Sequence, residues 1–167
     1  MREIKKRRFS MFIIIGVIVF AICFTFLGYE ILKVKKYETT SIEKIGQYKG
    51  NFYFNVALMP TETLEKSKVV EYKYKYEESI LDDSQYILLT YQYDDEEYSS
   101  EKKRIASVKD EYASVVYNDS YFDLPAYIYM YEEGDSNEFA LVDDEKKQIT
   151  YVYIQCPFDF KGEKYVE

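Results

Sequence analysis

Adjacent carboxylates are the side chains of this sequence with the clearest capacity for chemistry. Two carboxyl groups at a fixed separation serve as the acid and the base or nucleophile of glycoside hydrolases. Every adjacent pair here falls in a predicted turn or at a predicted helix start, where solvation and the helix dipole account for acidic residues. None matches the calcium loop of alternating Asp or Asn with a glycine, so we predict no catalytic residues, no metal site and no cofactor. The pairs are Asp82/Asp83, Asp94/Asp95, Glu96/Glu97, Glu132/Glu133 and Asp143/Asp144.

Nucleophilic and metal-binding side chains are scarce. The chain has no histidine, which removes histidine-based triads, histidine-ligated zinc and the commonest general base. Its two cysteines, Cys23 and Cys156, are too few for a four-thiolate metal site or a disulfide framework. No serine lies in a Gly-x-Ser-x-Gly motif. The sequence therefore favours a protein that is not an enzyme.

Tyrosine is unusually frequent, at 20 of 167 residues. Eight tyrosines recur at every second position of three predicted strands, so those within one strand share a face. Their amphipathic rings suit a glycan or an extended peptide, although tyrosine also favours strands and fills half-buried positions without any such role. We predict that at least two of the three groups form one exposed aromatic patch for a ligand or partner. The eight are Tyr72, Tyr74, Tyr76, Tyr127, Tyr129, Tyr131, Tyr151 and Tyr153.

One charged pair on a predicted helix has two interpretations. Glu101 and Arg104 are three residues apart, which places them side by side on a helix. As a surface pair they would contribute only a few tenths of a kcal/mol. If Arg104 instead turns toward a sheet, it would meet a buried carboxylate or the carboxylate of a ligand.

Positive and negative charges are unevenly distributed along the chain. Residues 1–36 carry eight Lys/Arg and two Asp/Glu, whereas residues 37–167 carry fourteen and twenty-eight. Binding to nucleic-acid phosphates depends on clustered Lys/Arg. The acidic part is therefore not expected to bind nucleic acid.

An uncharged apolar segment occupies residues 9–29, FSMFIIIGVIVFAICFTFLGY. As a helix it would span about 31 Å, close to the ~30 Å hydrocarbon core of a bilayer. We predict a transmembrane helix here that contacts the lipid bilayer. Five basic residues lie in the preceding tail, 1–8, and three lie shortly after the segment, so the tail is predicted to be cytoplasmic and the remainder extracytoplasmic.

A cleaved signal peptide and a buried core helix are the other interpretations of this segment. A signal peptide has a shorter apolar region and a small-x-small cleavage site, which neither Thr25-Phe26-Leu27 nor Leu27-Gly28-Tyr29 supplies. A core helix seldom contains so many uncharged residues in succession. An uncleaved anchor is favoured over both.

Past the anchor, residues 30–49 are predicted to form a polar stalk, 50–160 one small domain and 161–167 a C-terminal tail. Residues 85–93 are apolar at both odd and even positions, as expected for a central strand that is covered on both faces. The other predicted strands lie between turn signals. Their short connections require antiparallel pairing. The predicted strands are 52–58, 69–76, 85–93, 112–118, 126–132, 138–143 and 148–156.

Residues 94–108 are predicted to form the main helix of the domain. Its first turn is acidic and its last turn basic, which complements the helix dipole, and its apolar residues form one narrow stripe. The fold class is therefore α+β: an N-terminal transmembrane helix, then an antiparallel meander packed by one helix.

Four stretches of this domain resemble uncharacterised single-pass envelope proteins of low-GC Gram-positive bacteria. They are MPTETLEKSKVVEYKYKY, YILLTYQYDDEEYSSEKKRIAS, FDLPAYIYMY and NEFALVDDEKKQITYVYIQ. The resemblance covers roughly residues 55–156 and implies a short anchor carrying one small domain. It implies no activity.

The sequence thus favours a membrane-anchored extracytoplasmic module that binds an unknown protein, peptide or wall polymer without catalysis. Two alternatives remain. One is a cell-envelope hydrolase with a carboxylate pair, and the other is an accessory subunit of a membrane complex.

Overall fold

The computed structural model describes residues 2–31, 34–45, 56–60, 64–78, 83–108, 116–118, 122–130 and 136–166. The chain divides into two units. The first contains helix α1, Arg2–Ile31, and the second, from Lys36 onward, contains a sheet and helix α2, Asp95–Ala106. Within the described residues, no helix combines the length and the apolar character that a membrane crossing requires.

Within the described residues, seven strands form one antiparallel sheet in the order β1-β2-β3-β7-β6-β5-β4. Two meanders, β1–β3 and β4–β7, are therefore joined through α2, and they meet where β3 pairs with β7. This confirms the predicted α+β class. The strands are β1 Lys35–Thr39, β2 Val69–Glu78, β3 Asp83–Gln92, β4 Val116–Asn118, β5 Ala126–Met130, β6 Ser136–Asp143 and β7 Gln148–Gln155.

Strand β3 is central because its sequence is apolar on both parities. Every residue from Ser84 to Tyr91 is buried, which confirms the prediction for residues 85–93. Ile87 and Leu89 lie in one core cluster, and Tyr86 and Leu88 lie in another. Successive side chains of a strand point to opposite faces, so each cluster covers one face of the sheet.

Helix α2 begins where the sequence predicts. Asp94 is its N-cap and forms a capping box with Glu97, in which each side chain accepts from the backbone N–H of the other residue. Tyr98 and Ile105 point inward and are buried against the first face of the sheet, which we call the helix-side face. The predicted acidic first turn and basic last turn are both present.

The second face is covered by the short 3-10 helix Pro157–Phe160 and by irregular segments rather than by an α-helix. Phe160 is buried against Tyr86, and the partly buried Phe122 and Tyr165 pack on the same cluster. Residues 161–166, assigned from sequence to a tail, contact this face through a hydrogen bond of 3.1 Å from the Tyr86 hydroxyl to the Lys164 carbonyl. The sheet is thus covered on both sides.

Several predicted boundaries differ from the structure. Residues 35–39 of the predicted stalk form the edge strand β1, because they supply extended backbone for β2 to pair with. Residues 56–58 of the first predicted strand have no strand pairing, and residues 51–55 lie outside the described residues. Of the predicted strand 112–118, the structure describes only β4.

Alkaline titration tests this burial of tyrosine. Burial raises the pKa of Tyr74 and of Tyr153 to about 12. Exposed tyrosines in the unfolded chain ionise near pH 10, so unfolding releases protons between pH 10 and 12 and the free energy of unfolding falls as pH rises through that window. We expect the absorbance of tyrosinate to rise in two steps, the second together with loss of the sheet signal in circular dichroism. A single step near pH 10 with the sheet intact would contradict this burial.

Candidate binding cleft

The prediction of an exposed aromatic patch is wrong. The strand register places the tyrosines of β2 and β7 on the helix-side face, because Tyr72 pairs with Leu89, which in turn pairs with Tyr151. Helix α2 and the residues around it cover that face, so these rings are core. Five of them are at most 3% exposed: Tyr72, Tyr74, Tyr129, Tyr151 and Tyr153. Tyr76 and Tyr127 are half-buried, and Tyr131 lies outside the described residues.

A network of linked side-chain hydrogen bonds extends from this core to the flank of α2. The Tyr93 and Tyr151 hydroxyls are 2.7 Å apart, and the Tyr151 hydroxyl donates to Glu101 Oε1 at 2.6 Å. Arg104 donates to both oxygens of Glu101, each at 2.7 Å, and also to the carbonyl of Leu58. The Glu101–Arg104 pair is therefore a bidentate pair tied to the core and not a loose surface contact.

Burial and hydrogen bonding set the pKa values of the residues in this network. Burial raises the pKa of Tyr151 well above 10, and the neighbouring Tyr93 and Glu101 raise it further. Burial alone would lower the pKa of Arg104, but the hydrogen bonds with Glu101 and Tyr151 raise it overall. The tyrosines thus stay neutral and the guanidinium stays charged at physiological pH.

A second buried carboxylate holds the segment that Arg104 contacts. Glu138 on β6 is 0% exposed, and its carboxylate accepts three backbone N–H groups: Ala57 and Leu58 at 2.6 Å each, and Met59 at 3.3 Å. The segment 57–59 lies in no strand, so these N–H groups have no ladder to join. Glu138 and Arg104 therefore fix this segment from its N–H side and its carbonyl side respectively.

Glu101 was predicted from sequence only as the partner of Arg104, and Glu138 was missed because the other acidic residues singled out were adjacent pairs. A signal for each was present. Glu138 shares its parity on β6 with the buried Ala140 and Val142, and Glu101 lies on α2 between Tyr98 and Ile105, in their stripe. An acidic residue on a buried face requires a specific partner.

A cleft of about 770 Å³ opens beside this network, between α2 and residues Pro60, Leu64 and Glu65. Its volume lies in the range of small-molecule sites. We call it the acidic cleft. Its lining residues are Pro60, Leu64, Glu65, Tyr91, Tyr93, Glu96, Glu97, Ser100, Glu101 and Arg104.

The acidic cleft has more negative charge than its cations neutralise. Glu97 pairs with Lys68 at 2.8 Å, and Glu101 pairs with Arg104. The side chains of Glu65 and Glu96 have no ion pair or hydrogen bond within the described residues. Tyr91 and Tyr93 stand edge to face in the same cleft, with ring centroids 4.8 Å apart. Lys68 also attracts Glu65 electrostatically, although more weakly than it binds Glu97. Two carboxylates without a hydrogen-bonded partner and two aromatic rings thus line one cavity.

Of the adjacent carboxylate pairs noted in the sequence, the described residues place one, Glu96/Glu97, in the lining of the acidic cleft. Asp94, Asp95, Glu96 and Glu97 are exposed around the start of α2, and Asp143 and Asp144 lie at the turn between β6 and β7. Asp82, Glu132 and Glu133 are outside the described residues. In the part of the chain that the structure describes, no three His, Cys, Asp or Glu residues are grouped to hold a metal ion.

No protein-family model, curated protein or solved structure matches this chain.

Replacing Glu138 tests its role in holding the cleft wall. Glu138→Gln keeps the shape of the side chain but turns one acceptor oxygen into an NH₂ donor, which would face a backbone N–H. We expect a loss of about 1–3 kcal/mol in the free energy of unfolding, the cost of a buried unsatisfied group. Urea denaturation measures it. Glu145→Gln, which makes the same change at an exposed turn, should leave the value unchanged. Equal stability of the two variants would contradict the role given to Glu138.

Proposed function

We propose that the protein is a membrane-anchored, extracytoplasmic binding module, without catalytic activity, whose ligand occupies the acidic cleft. The observation that carries the proposal is the combination of a ligand-sized cavity, two unpaired carboxylates and two tyrosine rings. A cation is attracted both by carboxylates and by the faces of aromatic rings. The favoured ligand is therefore a small molecule or peptide side chain with an ammonium group and an apolar body that contacts Pro60 and Leu64.

The anchor is proposed from the apolar character of residues 9–29. Large apolar side chains of α1 are exposed from Ile13 to Leu27, with Phe20 at 71% and Phe24 at 69%. Such a surface is unfavourable in water and is covered in a lipid bilayer. The excess of basic residues before the segment supports a topology with residues 1–8 on the cytoplasmic side and the sheet outside.

The alternative of a carboxylate-pair hydrolase is less well supported. Glu101, the deepest acidic group of the cleft, is occupied by Arg104 and Tyr151 and has no oxygen without a hydrogen bond. A general acid or base needs an oxygen that reaches the substrate. Glu65 and Glu96 are solvated side chains, and their free carboxylates suit electrostatic attraction of a cation.

A matched pair of probes tests the proposed site. Full-length protein in maltoside micelles is titrated with hexylammonium and, separately, with hexanol, which has the same apolar chain but no charge. Hexylammonium should shift the NMR signals of Tyr91 and Tyr93 in a saturable way, and hexanol should do so far less. Glu65→Gln with Glu96→Gln should weaken hexylammonium binding roughly 5- to 30-fold, because two ion-pair contributions of about 0.5–1 kcal/mol each are lost.

Asp123→Asn with Glu145→Gln is the control, since it also removes two negative charges, at exposed positions outside the cleft. Its affinity for hexylammonium should match that of the natural protein. Equal shifts with hexanol, or equal affinity in the Glu65/Glu96 double variant, would contradict a cation site in the acidic cleft.

A further inference from the structure

The opposite flank of α2 has a second cavity of about 410 Å³ with the reverse charge. Its lining includes Tyr98, Lys102 and Lys103 from α2, and Asp144 and Lys147 from the turn between β6 and β7. We call it the lysine groove. Its volume is within the range of ligand sites.

Two ammonium groups of the lysine groove converge on one aromatic ring. Lys102 Nζ and Lys147 Nζ each lie 5.4 Å from the centroid of the Tyr98 ring, although they come from different elements. Tyr98 is buried in the helix-side core, so the ring is a fixed surface that keeps the two lysine side chains near each other. The cations are therefore positioned by the fold.

The carboxylates nearby do not neutralise the lysine groove. Asp144 accepts from Lys102 at 2.8 Å and from the Tyr98 hydroxyl at 2.9 Å, which fully engages one of its oxygens. Lys147 is 3.9 Å from Asp95, whose side chain is 87% exposed, so this contact is weak. Lys103 has no ion pair within the described residues. Lys103 thus has no carboxylate partner there, and Lys147 has only the weak contact with Asp95 and an electrostatic attraction to Asp144, so these two ammonium groups are the least neutralised of the groove.

We infer that the lysine groove binds a single phosphate group, as orthophosphate, a phosphomonoester or a lipid headgroup. Ammonium groups are compact, strongly hydrated charges that commonly bind phosphate. Residues 37–167 carry twice as many acidic as basic residues, so a long polyanion would extend from the groove over a repulsive surface. A compact anion stays within the local positive field, which extends about 8 Å at physiological ionic strength. This inference does not depend on the function proposed for the acidic cleft.

Titration with orthophosphate tests the inference directly. Full-length protein in maltoside micelles receives sodium phosphate, with sodium chloride of equal ionic strength as the reference. We expect saturable shifts in the NMR signals of Tyr98, Lys102, Lys103 and Lys147 with phosphate but not with chloride. Lys103→Gln with Lys147→Gln should weaken phosphate binding roughly 5-fold or more, because the two least neutralised ammonium groups are lost.

Two controls keep the result specific. Lys161→Gln removes one charge at an exposed position outside the groove, the same change as in Lys103→Gln alone, and should leave the affinity unchanged. Lys103→Gln alone changes an exposed side chain with no ion pair, so it tests the site even if the double variant fails to fold.

Dihexanoyl phosphatidylglycerol and dihexanoyl phosphatidylcholine distinguish the sources of the phosphate. Stronger shifts in the groove with phosphatidylglycerol than with orthophosphate, lost in the lysine variants, would support a lipid headgroup. Stronger shifts with orthophosphate would support a soluble ligand. The inference is overturned if none of these compounds gives saturable shifts in the groove, or if the lysine variants bind as tightly as the natural protein.

Discussion

The buried carboxylate of Glu138 gives an irregular segment of backbone a defined place in the structure. Residues 57–59 have no strand partner, and their N–H groups would be costly to bury without acceptors. One side chain on β6 accepts all three. Arg104 then holds the Leu58 carbonyl from α2, so sheet and helix are joined through this segment. The acidic cleft begins at Pro60, directly after it, and its wall depends on this attachment.

Helix α2 separates two surfaces of opposite charge. Its buried residues fix it on the helix-side face, and its polar residues therefore project to two flanks. Glu96, Glu97 and Glu101 line the acidic cleft, whereas Lys102 and Lys103 line the lysine groove. The same acidic first turn and basic last turn that complement the helix dipole thus also supply two candidate sites. Tyrosine contributes to both through Tyr91, Tyr93 and Tyr98, which belong to or pack on the core.

Local sequence patterns predicted the helix and the central strand, whereas long-range contacts determine which residues form the candidate site. The capping residues of α2 and the doubly apolar pattern of β3 are encoded within a few residues, so both could be predicted from sequence. The register between β2, β3 and β7 is not encoded locally, and it places Tyr72 and Tyr151 under α2. Glu138 could have been found from its parity with Ala140, but its partners lie about eighty residues away in the chain, at 57–59. No local pattern predicts that contact.

Hydrogen exchange of the Leu58 and Met59 amides tests most directly whether the Glu138 carboxylate holds the cleft wall. Both amides lie in a segment without strand pairing, where exchange would ordinarily be fast. If Glu138 binds them as described, they should exchange as slowly as amides of the central strand β3, through openings close to global unfolding. Exchange at the rate of an unprotected loop would show that the segment is not held, and it would contradict the account of the cleft.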